Sequence, residues 1–248
     1  MKNKKPQDYI PGQLESQKFS HRKEAYYRGL ETIKSLNYSF EDLLHHFPAF
    51  VGHMTLARFL CLYEAYKATL GLAGHIAEIG VFRGASTLMF AKLTQIFEPE
   101  SLTQVHGFDW FKGNQPSESE ASIIPGADAE TLERLTSLIE AQQLQHCVRI
   151  HALDVTTELD SFFDRFPQLQ FKIVFLDAGM YAVVKAALPH FWNRLNTGGY
   201  LILDQYNFEV APGETAAVQE FLPGVQVRTF PFSWMPSAYI IKPSNSRP

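Results

Sequence analysis

The chain is short of cysteine. Two of its 248 residues are cysteine, Cys61 and Cys147, and both fall in apolar segments. That excludes a disulfide scaffold or a cysteine-built metal module and predicts two reduced core thiols. Long apolar runs are missing as well. No stretch reaches the roughly 18 consecutive apolar residues of a membrane-spanning helix, so no membrane partner is expected. Met1-Lys-Asn-Lys-Lys-Pro6 is basic but has no apolar run behind it. A secretory leader is therefore not expected, and the cytoplasm is the expected location. Positive charge is not in excess either: Lys and Arg number 22 against 26 Asp and Glu, for a net charge of −4. Without a basic stripe or an arginine block, nucleic acid is not an expected partner. The nine histidines include no helical pair at metal spacing and read as packing or surface residues. The Gly-x-Gly-x-x-Gly turn of dinucleotide folds is absent, as is any internal repeat.

What is present begins with enough apolar sequence, 46% of the residues, for one substantial core. Short apolar strands alternate with helical patterns. The strands are expected to end near Ile79, Asp109, Asp154, Asp177 and Asp204. The fourth, Phe171–Asp177, is almost continuously apolar, as a strand covered on both faces should be. Two short helices are expected at His21–Leu36 and Phe40–His46. A long helix follows with Leu56, Phe59, Leu60, Tyr63 and Leu70 on one face. Asp128 is the expected cap of the helix carrying Leu132, Leu135 and Ile139. Met180–Leu195 reads as a helix broken near Pro189. Gly198-Gly199 should open the fifth strand at Tyr200, and Val225–Phe232 with Ala238–Lys242 should close the fold as a hairpin. The pattern predicts an α/β, doubly wound sheet with one antiparallel strand.

The most informative stretch is His75-Ile-Ala-Glu-Ile-Gly-Val-Phe-Arg-Gly-Ala-Ser86. A strand runs into a glycine turn that opens a helix, which lets a ligand approach bare backbone and the helix's first N–H groups. Glu78 just before the turn favours a ligand with hydroxyls or positive charge over one held mainly by phosphates. Asp109 at the next strand end can accept from both hydroxyls of a ribose. In an open α/β sheet the ligand crevice lies outside the carboxyl ends of the strands. Glu78, Asp109, Asp154, Asp177 and Asp204 all converge there, and five acids so placed need a counter-charge. A cationic cofactor or a divalent ion would supply it. The strand-poor segment Trp110–Ala127 lies at the same edge and reads as a lid. Bland readings stand beside these: Asp154 could cap a turn, Trp110 could anchor the lid, and Asn207 with Gly213-Glu214-Thr215 could form a capping turn.

Glu78–Ser86 and Val105-His-Gly-Phe-Asp-Trp-Phe-Lys-Gly113 resemble class I S-adenosylmethionine-dependent methyltransferases, and most nearly the macrocin O-methyltransferase group, which methylates deoxysugar hydroxyls. Phe175-Leu-Asp-Ala-Gly-Met-Tyr181 and Leu203-Asp-Gln-Tyr206 stand where that group carries Leu-Asp and an acidic pair before Tyr. The resemblance implies a Rossmann-like seven-stranded sheet of order 3-2-1-4-5-7-6, with a helical arm at residues 1–48 and the methyltransferase domain at 49–248. It assigns Gly80, Gly84, Asp109 and Asp154 to the cofactor, and Glu78, Ser86 and Trp110 are further candidates for the same site. It assigns Asp177, Asp204 and Gln205 to Mg²⁺, with Asp177 the candidate catalytic residue. Gln205 departs from the group, where an acid is usual, and Gly179 stands where a further acid is common. The implied reaction is methyl transfer to a hydroxyl of a small polar acceptor, a sugar or sugar-bearing natural product. A silent cofactor-binding module and a nicotinamide oxidoreductase are the alternatives. The polar arm at residues 1–20 is a candidate dimerisation element.

Overall fold

The computed structural model describes residues 20–117, 120, 123–208 and 211–244. Most of the expected dimerisation arm, residues 1–19, lies outside them. Helices α1 (Ser20–Ser35), α2 (Phe40–His45) and α3 (Phe47–Phe50) lead into the long α4 (His53–Ala68). The Ser39 hydroxyl caps α2 by accepting from the Asp42 amide at 3.1 Å. No residue of α2 or α3 is buried. The next elements alternate: β1 (His75–Ile79), α5 (Ala85–Phe97), β2 (Val105–Asp109), α6 (Leu132–Ala141), β3 (Val148–Ala152), α7 (Val155–Arg165), β4 (Phe171–Leu176), α8 (Tyr181–Arg194) and β5 (Leu195–Leu203). The chain ends with α9 (Pro212–Phe221), β6 (Arg228–Thr229) and β7 (Ala238–Ile241). The sheet order is β3-β2-β1-β4-β5-β7-β6, as expected. β1 to β5 are parallel, and β7 runs antiparallel to both β5 and β6.

Strand alternation sorts the core into two layers. Ala77, Ile79, Phe108, Val174, Leu176, Leu201 and Leu203 face α7, α8 and α9. Ile76, Val105, Ile173, Phe175 and Ile202 face α4, α5 and α6. All six residues of β4 are buried, which explains why all but Lys172 are apolar. On the first layer His106 and His151 place ring nitrogens 3.0 Å apart. Burial lowers them to about 3 and about 4, so both pack as neutral rings. Cys61 and Cys147 are free and buried. Among the described residues no helix is long and apolar enough to cross a membrane.

Four local expectations change. Pro189 lies inside α8 without ending it, because Val184, Ala187, Leu188, Phe191 and Trp192 bury the helix's inner face on both sides of the proline. Such packing outweighs the one backbone bond that proline removes. Thr131, not Asp128, caps α6 by accepting from the Arg134 amide, and the Asp128 carboxylate instead accepts from Asn114 Nδ2 at 2.8 Å. β5 starts at Leu195 and passes through the glycine pair, because Gly198 and Gly199 exchange backbone bonds with Lys242. The fully buried residues of α4 are Cys61, Leu62, Ala65 and Tyr66; Phe59 and Tyr63 of the expected face pack partly buried beside them, while Leu60 is 46% exposed. Apolar residues occur all round this helix, so its period alone does not select a face.

Behind the sheet, Lys172 of β4 is fully buried and donates to both Glu98 carboxylate oxygens, at 2.8 and 2.6 Å. The Tyr66 hydroxyl donates to the same carboxylate. Glu98→Ala is expected to leave a buried ammonium unpaired and to cost about 3–5 kcal/mol. Urea unfolding measures this, and a loss below about 1 kcal/mol would show that Lys172 finds another partner.

Candidate active site

Register builds the site. Ile79 pairs with Phe108 and with Leu176, and Leu176 pairs with Leu203. The next residue on each strand is therefore in one row: Gly80, Asp109, Asp177 and Asp204. Backbone bonds fix that row, from Gly80 N to Phe108 O, Asp177 N to Ile79 O and Asp204 N to Leu176 O. Parity then selects a face. Glu78, Asp177 and Asp204 continue the alternation that carries Ile76, Phe175 and Ile202, so their side chains turn toward α4 and α5.

The counter-charge is Arg58 of α4. Its guanidinium bonds Asp204 through Nη1 and Asp177 through Nη2, and Nη2 also lies 3.4 Å from Ser86 Oγ. It stands 5.2 Å from the centre of the Phe175 ring. Burial opposes its charge, but Asp177 and Asp204 outweigh burial and hold it above the usual guanidinium range. Burial, together with Asp204, pushes the Asp177 carboxyl well above the usual carboxylate range against the pull of Arg58. The sequence reading missed Arg58. A signal existed: Arg58 precedes Cys61 and Leu62 by three and four residues, so it extends the buried stripe of its helix toward the acidic row.

The turn is built by close approach. A Cβ on Gly80 (φ +90°) would run into the Asp177 carbonyl, so the residue allows β1 and β4 to meet at the row. Gly84 (φ +78°) is the left-handed residue before α5, and a Cβ there would meet Leu135. Asp109 holds this turn. One oxygen accepts from the Val81 and Phe82 amides at 2.8 and 2.9 Å, and the other from Phe111 N at 2.7 Å. Its carboxylate thus organises the backbone that was expected to meet the cofactor, and only its remaining lone pairs are open to a ribose. Asp154 is the N-cap of α7, accepting from Thr156 N and Oγ1 at 2.8 and 2.6 Å.

A cavity of about 920 Å³ opens along the row. Gly80, Asp109, Trp110, Asp154, Asp177 and Gln205 line it. Glu78, Gly84, Ser86 and Asp204 do not, so the structure sets these four behind the wall. Glu78 is buried and takes the Thr87 hydroxyl bond. Burial pushes it up to about 7, opposed by Thr87 and Arg58. Gln205 Oε1 is buried without a hydrogen-bond partner against Gly179. Glu214, at the start of α9, accepts from the Gln205 amide at 2.9 Å, and burial beside Asp204 holds its carboxyl well above the usual range.

The chain matches the methyltransferase domain model over residues 77–206, more than half its length and including the row and the turn. The chain belongs to the methyltransferase domain family. By that family and its sheet order it is an S-adenosylmethionine-dependent methyltransferase, and the nicotinamide alternative is set aside. Its fold is similar to CalS11, the calicheamicin methyltransferase, at TM-score 0.79 and 22% identity over 89% of this chain and 92% of that one. An apo structure of CalS11, described as a TDP-rhamnose 3′-O-methyltransferase, gives 0.72 and 23% over 89% and 94%. The O-methyltransferase NovP gives 0.63 and 16% over 75% and 80%. No curated protein matches by sequence.

In this methyltransferase the expected lid is pinned by a residue the sequence did not flag. Glu120 is buried and accepts from Ser117 N at 3.0 Å and Ser117 Oγ at 2.6 Å. Its other oxygen accepts from the Tyr181 amide at 2.6 Å, at the open N-terminus of α8. Asn114 also exchanges backbone bonds with Gly126 and Ala127, closing the base of the loop. Glu120→Ala is expected to release this segment. Hydrogen exchange should then accelerate at Asn114, Ser117 and Tyr181, and unchanged protection would make the Glu120 contact incidental.

Glu78 sets a pH dependence. Its native carboxyl is raised from 4.5 to about 7, so in that window the folded chain keeps a proton that the unfolded chain has lost. Stability therefore falls as pH rises from about 4.5 to about 7, by at most about 3 kcal/mol from this group. Glu78→Gln is expected to flatten that decline in denaturant titrations across the window. An unchanged slope would assign the decline to other groups.

Proposed function

We propose that this methyltransferase transfers the S-adenosylmethionine methyl group to a hydroxyl of a small polar acceptor, a deoxysugar or sugar-bearing natural product. The observation that carries the reading is the single cavity joining the glycine turn at Gly80 and Asp109 to the carboxylate of Asp177. The turn at Gly80 and Asp109 would hold the methyl donor, and Asp177 lines the same cavity on the acceptor side. In the transfer the S–CH₃ bond breaks, its electron pair stays on sulfur, and an O–CH₃ bond forms. The acceptor proton must leave. Asp177 is the proposed base, since burial makes its carboxylate a stronger base than one in water. Alignment of donor and acceptor inside one cavity supplies the rest. The cavity wall carries Asp109, Asp128, Asp154 and Asp177 and, among the described residues, no Lys or Arg. That lining suits a cationic donor with a neutral or amino-bearing sugar. Folds similar to CalS11 and NovP support the oxygen-transfer class.

The Mg²⁺ expected at Asp177, Asp204 and Gln205 does not fit this donor set. Both carboxylates are already paired to the Arg58 guanidinium, and the third ligand is a neutral amide. Two carboxylates and one guanidinium leave a single negative charge for a dication. Among the described residues no group of three His, Cys, Asp or Glu side chains is placed to hold a metal. Magnesium binding favours oxygen ligands with formal charge and its own retained waters, and this set offers neither in excess.

Calorimetry with S-adenosylhomocysteine and with NAD tests the cofactor. Binding is expected for the first alone. Asp109→Ala should weaken it by about tenfold or more, since bonds to a charged group are worth roughly 1.5–3 kcal/mol. Asp177→Asn should keep that affinity and depress methyl transfer to a deoxysugar acceptor by at least about a hundredfold, the range of general-base loss. Retained transfer in Asp177→Asn would remove the base. Binding of S-adenosylhomocysteine with no transfer to any hydroxyl acceptor would leave a silent module.

A further inference from the structure

We propose that Arg58 is the resident cation of the acceptor side of this site, a positioning residue that stands where a divalent ion would stand. The inference rests on the methyl-transfer reading and deepens it. The guanidinium is planar and presents paired donors, which suits two carboxylates side by side at the ends of β4 and β5. Register and parity bring Asp177 and Asp204 onto the α4 face, and the buried stripe of α4 delivers Arg58 to the same point. The three groups are therefore joined by three separate elements packed through the Cys61, Leu62 and Phe175 layer.

The same side chain reaches the cofactor side. Nη2 that bonds Asp177 also lies against Ser86, in the first turn of the helix that follows the glycine turn. Arg58 thus ties the donor's turn to the acceptor's carboxylates. It neutralises one of the two negative charges and leaves the other to Asp177, the residue that must take a proton. A guanidinium keeps its charge throughout the pH range of proteins, so this counter-ion is permanent where a metal would exchange. The neutral Gln205 is consistent with that division. An acid at 205 would add a charge that Arg58, already shared between two carboxylates, could not balance.

The test is ion uptake by the full chain saturated with S-adenosylhomocysteine, using Mn²⁺ read by electron paramagnetic resonance and Mg²⁺ read by calorimetry. Wild type and Gln205→Asp are expected to take up neither ion at millimolar concentration. Arg58→Met/Gln205→Asp vacates the position and adds a third acid, so it should bind Mn²⁺ at least about tenfold more tightly than Gln205→Asp alone, equivalent to about 1.4 kcal/mol. Arg58→Lys keeps the charge and should gain no ion. Wild-type uptake that disappears in Asp204→Asn would overturn the proposal, and so would equal uptake by Gln205→Asp and the double variant. If the double variant does not fold, the wild-type and Gln205→Asp titrations decide: uptake by either, abolished by Asp204→Asn, refutes a resident Arg58, and its absence from both supports it. Failure of the methyltransferase reading is separate, since it would appear as wild type that does not bind S-adenosylhomocysteine at all.

Discussion

Parallel strands that end in register bring their last side chains together, and here those side chains are acids. Asp109, Asp177 and Asp204 stand in one row with Gly80, and Glu78 lies two residues behind it on β1. Like charges gathered at a partly buried edge repel one another unless something positive is supplied or protons are taken up. Both answers are present. Arg58 pairs two of the acids, while burial raises Glu78, Asp177 and Glu214 toward their protonated forms.

The division of labour among the acids differs from one drawn by position alone. Asp109 is a structural acceptor for three backbone amides before it meets any ligand. Asp154 is occupied as a helix cap. Asp204 is sealed behind Arg58, and Asp177 alone of the Arg58 pair reaches the cavity. A row of similar residues thereby yields dissimilar environments. The members of the row share one parity, so the difference comes from which turn or helix each carboxylate meets.

The lid shows the same principle at longer range. Its sequence is irregular and carries glycine and proline, which marks it as a loop. Among the described residues, the Glu120 carboxylate ties it to the amide at the start of α8, beside the Asn114 backbone bonds at its base. Nothing in a Ser-x-x-Glu pattern inside a loop names a partner some sixty residues away, because the partner is created only when α8 packs beside the cavity.

The sequence by itself determined the alternation of strands and helices, the doubly wound sheet and the glycine turn, and the strand order came with the family resemblance. Periodicity, β-branched runs and glycine spacing are local properties, and the family pattern rests on contiguous residues. It also placed Asp109, Asp177 and Asp204 at the strand ends, while the register decided the face they share. It did not determine the buried side of α4, where apolar residues lie all round, nor the path of α8 through Pro189, where packing outweighs a local rule. Tertiary structure alone decided that the cation beside Asp177 and Asp204 is Arg58, more than a hundred residues earlier in the chain. A charge pair of that separation has no local signature, and it exists only because sheet register and helix packing bring three distant segments to one point.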